Sequence, residues 1–237
     1  LGAILKRLQM FVMRSEVTLA DASGELARFG LSGDCAEGLL PFVPAADNNC
    51  LTREGLTVIR LPGDRPRFEV TGPPEVLTGI WSRALTRAEQ TGAGFWSLMD
   101  IRAGIPNVFE DTVEAVVPQM ANLQLIGGVS FTKGCYTGPE VVARMQYLGK
   151  LKRRMYHARI DTGQPPVPGA EVFSPSNESG QGAGRIVDAA ASPDGGYEVL
   201  AVLQISSAEA NDLQLGDIDG PALQLMELPY SFEQSED

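Results

Sequence analysis

The residues best suited to chemistry sit in "KGCYTGPEVVAR", Lys133 to Arg144. A thiol is nucleophilic only as thiolate, which nearby cations and helix N-termini favour. Cys135 has Lys133 two residues before it, a predicted helix start about three residues after it, and Arg144 further along that helix. Gly134 and Gly138 allow close approach of backbone to a ligand. A small packed thiol fits the same spacing, and both readings stay open. The only histidine is His157, beyond the next predicted helix, so no Cys–His catalytic pair can be assembled. Cys35 and Cys50 are far apart and form no CxxC, which argues against a zinc site or a disulfide framework.

A basic strip follows the cysteine. Arg144, Lys150, Lys152, Arg153, Arg154 and Arg159 lie between Val141 and Ile160 with no acid among them. Such a strip suits a phosphate, the glutamate tail of a ligand or an RNA segment; it equally suits a solvated strand face. Trp96, next to glycines in "TGAGFWSLMD", is either a stacking platform for a flat ring or a core residue. Trp81, on an apolar helix face, reads as core. No GxGxxG, P-loop or metal-spaced His/Cys cluster is present.

The elements that must position these residues are legible in outline. The 237 residues are 43% hydrophobic and 21% charged, which are globular values. The net charge of −11 disfavours sequence-independent nucleic-acid binding by the whole surface. No apolar run approaches the ~18 residues of a membrane span. Lys6 and Arg7 interrupt the first apolar stretch, which therefore does not read as a signal peptide. The chain starts inside a periodic apolar pattern and reads as the later part of a longer polypeptide. With its unpaired cysteines it reads as cytoplasmic.

Helical spacing covers the first twelve residues, and "EVTLAD" alternates as a strand. Gly24 to Asn49 reads as irregular with a short helix. "LTVIRLP" and "RFEVTG" read as a hairpin turning at Pro62-Gly63-Asp64. Helices are predicted at Pro73–Gln90, over "FWSLMDIRAGIPNV" up to Gly104 and Pro106, and from Gly138 to Gly149. Beyond Gly149 come "KRRMYHARID", "AEVF", "GRIVDAA", "YEVLAVLQI" and "ALQLMEL", short strands between turn residues with no helix. The tail "EQSED" is predicted to fray. The fold class is thus α+β: a ferredoxin-like α/β sandwich over residues 1–149, then a small antiparallel β-barrel over residues 150–237, with the boundary near Lys150 to Asp161.

"KGCYTGPEVVAR" strongly resembles the signature of the YgfZ family, folate-binding proteins related to the aminomethyltransferase (T-protein) of glycine cleavage. "WSLMDIRAGIP", Trp96 to Pro106, and "ELPYSFE" near the C-terminus match as well. The resemblance implies tetrahydrofolate or a derivative bound in a cleft between ferredoxin-like domains. It implies support for assembly or repair of iron–sulfur enzymes, such as a tRNA-thiolating enzyme, and so for tRNA modification. Trp96 matches a folate-contacting tryptophan, Cys135 the functional cysteine, and Lys133 and Arg144 its basic neighbours. Arg102 stands where the aminomethyltransferase has a pterin-binding Glu, and is expected, with Arg144, to meet the glutamate tail. Pro139 stands where the family usually has Gln. The implied role is an accessory protein rather than a conventional enzyme. The alternatives are a tetrahydrofolate-dependent one-carbon transferase and a tRNA-binding module built on the basic strip.

Overall fold

The computed structural model describes residues 1–134, 142–145, 149, 151–177 and 182–232. Two compact units are present, Leu1–Gln90 and Thr91–Asp237. The predicted texture change near Lys150 falls inside the second, where strand β5 starts at Arg153.

The first unit is built on a four-stranded antiparallel sheet in the order β1-β4-β3-β2. Its strands are β1 (Ala27–Ser32), β2 (Cys50–Arg53), β3 (Leu56–Leu61) and β4 (Arg67–Gly72). Phe29 faces Val70 and Leu31 faces Phe68 across the β1–β4 ladder, so alternate residues deliver one apolar face. Helix α2 (Pro74–Ala84) covers that face with Leu77, Ile80 and Ala84, and Trp81 meets Phe29 edge-on at 5.3 Å. The β3–β4 hairpin forms as predicted.

Several expectations for this unit are corrected. Helix α1 (Gly2–Gln9) forms, but it buries no residue. "EVTLAD" is not a strand; Val17 is exposed, and alternation without a neighbouring ladder gives the backbone no partner. Strand β1 lies within the stretch read as irregular, because it is short and interrupted by Gly30. Strand β2 was missed, although Glu54 and Gly55 (φ +50° and +78°) make the two-residue turn that folds it onto β3. Helix α2 ends at Ala84 rather than Gln90, with tighter turns continuing as the Thr86 and Arg87 N–H groups donate to Arg83 and Ala84.

The second unit carries a six-stranded antiparallel sheet in the order β10-β5-β8-β7-β6-β9. The strands are β5 (Arg153–Ile160), β6 (Glu171–Phe173), β7 (Gly184–Ala191), β8 (Tyr197–Gln204), β9 (Gln214–Leu215) and β10 (Leu223–Met226). The sheet curls until its ends meet: Leu215 N–H donates to Pro221 and Leu223 N–H to Leu213. The α+β class and the antiparallel barrel are therefore as predicted. A short helix, Ile205–Ala210, interrupts the strands and was not expected.

Alternation along the barrel strands gives two faces. Ala158, Ile160, Ile186, Val199, Ala201 and Leu203 fill the interior. Met155, Val187, Leu200 and Val202 point outward, where helix α3 (Ala93–Arg102) buries Leu98 and Ile101 against them. Gly104 ends α3 in the left-handed region (φ +66°). A Cβ there would stand 2.6 Å from the Tyr230 ring, so glycine is required twice over.

Candidate functional site

Helix α3 carries two of the predicted site residues. Trp96 is half-buried near its start and Arg102 ends it. Six residues of helix separate them by about 9 Å along the axis and put them on different faces.

Arg102 is anchored. Its Nε donates to Glu198 Oε2 at 3.0 Å and its Nη2 to Glu198 Oε1 at 2.6 Å, a two-point fork on one carboxylate. Glu198 belongs to β8 and is nearly inaccessible, with 3% of its side chain exposed. Its other contacts complete a cluster: Ser192 Oγ donates to Oε1 at 3.0 Å, and the His157 Nε2–H, 3.0 Å away, faces Oε2. Burial pushes the Glu198 carboxyl up, but the hydrogen bonds from Arg102 and Ser192, with the Arg102 charge, outweigh it and hold the group below the ordinary glutamate value.

A second buried carboxylate lies on the same outer face. The β7 ladder slips between Ile186 and Asp188, and Asp188 is 1% exposed. It accepts from the Asn107 amide and from Ala189 N–H. Burial dominates there and raises its pKa. Further along, the buried Asn122 amide donates to Met155 O, and Tyr230 Oη donates to Gly104 O at 3.0 Å, tying the C-terminal segment to the end of α3.

The remaining predicted residues are less gathered. Lys133 is exposed, with its backbone N–H donated to Ser130 Oγ. Arg144 is exposed on a helical turn at residues 142–145, whose Val142 carbonyl accepts from Gln119. Cys135, Pro139 and Lys150, most of the predicted 138–149 helix and the tail from residue 233 lie outside the described residues.

The basic strip is not one solvated patch, because β5 is covered on both faces. Met155 and His157 are buried outward and Ala158 and Ile160 inward. Arg154 lies over the Phe232 ring at 4.9 Å and donates to Phe232 O. Arg159 donates to the carbonyls of Asp194 and Gly195.

Sequence reasoning missed Glu198, Ser192, Asp188 and Asn122. The signal available was an acid inside a strand apolar on both faces, "YEVLAVLQ", where a charge must find a buried partner. Among the described residues, Cys35 and Cys50 are free thiols, no group of three His, Cys, Asp or Glu side chains is placed to hold a metal ion, and no helix is long and apolar enough to cross a membrane.

No protein-family model matches the chain. The tRNA-modifying protein YgfZ of Yersinia enterocolitica is 29% identical over 234 residues, 97% of this chain and 71% of that protein. The tRNA-modifying protein YgfZ of Colwellia psychrerythraea is 34% identical over 204 residues, 84% of this chain and 62% of that protein. Among solved structures, the glycine cleavage system aminomethyltransferase T of Bartonella henselae aligns with a TM-score of 0.64 at 16% identity, covering 96% of this chain and 65% of that one. At that identity the likeness is one of fold.

Proposed function

This chain is homologous to the YgfZ family, and on that footing we propose a folate-binding accessory protein that supports assembly or repair of iron–sulfur enzymes and, through them, tRNA modification. The observation that carries the reading is the match to tRNA-modifying proteins along 97% of the chain. The aminomethyltransferase-like fold and the "KGCYTGPE" stretch support tetrahydrofolate or a derivative as the cofactor. In this proposal residues 1–149 form the folate-binding region and 150–237 the barrel domain of a cytoplasmic protein.

Each residue then has a defined part. Trp96 stacks on the pterin or aminobenzoyl ring. Lys133 and Arg144, both exposed, meet the glutamate tail. Arg102 approaches the ligand as half of an ion pair with Glu198, which suits a polar edge better than a bare carboxylate. Cys135 acts as a thiolate toward a client such as a tRNA-thiolating enzyme. It does not hold a cluster alone, since clusters usually take four ligands.

Two rival readings fare worse. One-carbon transfer wants a free carboxylate at the pterin, and Arg102 occupies Glu198. Binding of tRNA through the basic strip wants solvated cations, and Arg154 and Arg159 are engaged within the protein. The test is complementation of a bacterial strain that lacks its YgfZ protein, with thiolated tRNA as the readout. The wild-type chain is expected to restore thiolation and Cys135→Ala to restore little. Failure of the wild type counts against the reading, and full restoration by Cys135→Ala removes the role of the thiol.

A further inference from the structure

The second unit holds a recess of about 230 Å³ between the loop that follows α3 and strand β7. Its walls are Val116, Pro118, Ala121, Leu123 and Val187, and Ala121 and Val187 form a buried floor. The recess is preformed, because its polar loop groups are already used. The Asn107 amide donates to Asp188 at 2.9 Å. The Thr112 hydroxyl accepts from Phe109 N–H and donates to Phe109 O. Val108, 78% exposed, adds a further apolar side chain to the lining.

Arg185 is the exception. It lines the recess from β7, half-buried, and among the described residues it has no hydrogen bond or ion pair from its side chain. Its cross-strand neighbour Glu171 is exposed, and among the described residues the two form no ion pair. Glu114, the acid lining the recess, is also exposed. A half-desolvated guanidinium facing apolar walls lacks the partner its planar fork fits best, a carboxylate.

We propose that this recess binds a small organic carboxylate with an apolar body, the carboxylate on Arg185 and the body against Val116, Leu123 and Val187. Its volume lies just below the usual range for ligand sites, so only a compact ligand fits. The proposal is independent of the folate reading, since neither Trp96 nor Arg102 lines the recess.

The test uses the full chain with labelled methyl groups, titrated with sodium octanoate, octan-1-ol and octylamine and followed by NMR at Val116, Leu123 and Val187. Octanoate is expected to give saturable shifts at these methyls below about 10 mM and to bind more tightly than the other two. Arg185→Gln is expected to weaken octanoate about tenfold while leaving octanol nearly unchanged. Val116→Trp, which fills the recess, is expected to abolish both. The proposal is overturned if octanol or octylamine binds the wild type as tightly as octanoate, if Arg185→Gln leaves octanoate unchanged, or if no saturable shift occurs. Should Arg185→Gln not fold, the wild-type comparison of octanoate with octanol decides alone.

Discussion

The two faces of strand β8 are organised by different physics. Inward, Val199, Ala201 and Leu203 join an interior that is held by volume. Outward, Leu200 and Val202 pack under α3, but Glu198 on that face is held by Arg102, Ser192 and His157. The inner face stabilises a barrel that any similar apolar set would fill. The outer face fixes the end of α3 in one position, because a buried carboxylate tolerates few alternatives. A barrel thereby becomes a platform for the helix that carries Trp96.

The largest expected effect lies on the inner face. Leu203→Ala should cost roughly 2–5 kcal/mol by transfer and cavity terms, read as a lower urea midpoint. That cost should hardly change with pH.

Arg102→Ala attacks the outer face and should cost about 2–3 kcal/mol at neutral pH, since it strands the Glu198 charge. Here the pH dependence separates the two faces. The folded-state pKa of Glu198 is depressed, so its contribution is present above the ordinary glutamate value and lost as pH falls through the lower folded value. The difference between wild type and Arg102→Ala should therefore shrink in acid. A difference that stays constant from pH 7 to pH 3 would mean the outer face is held by packing as well.

Asp188→Asn should have the smallest effect, within about 1 kcal/mol. The Asp188 pKa is raised by burial, so the wild type gains stability as pH falls through that value and loses it as pH rises through it. The asparagine variant should accordingly gain on the wild type with rising pH, measured by urea unfolding at pH 4 and pH 7.

Much of this contrast could be read in the sequence. Period-two spacing along "RRMYHARI" puts Met155 and His157 on one side of a strand and Tyr156, Ala158 and Ile160 on the other, and the structure has them so. Pro62-Gly63-Asp64 announced the β3–β4 hairpin, and Gly104 the end of α3. What escaped was the covering of the outer face. Cations look solvated when only their own strand is considered; Arg154 becomes engaged through Phe232, 78 residues away, and Glu198 through Arg102, 96 residues away. Strands β1 and β2 escaped because short segments at the sheet edges owe their form to β4 and β3 rather than to their own pattern.

The most direct test of folate binding is a titration with tetrahydrofolate of the Trp81→Phe chain, in which Trp96 is the only tryptophan, following its fluorescence with a free-indole control for absorption by the ligand. A saturable change at Trp96 is expected, weakened when Lys133 and Arg144 are both replaced by Gln. A Trp96 signal that follows the free-indole control throughout the titration would contradict it.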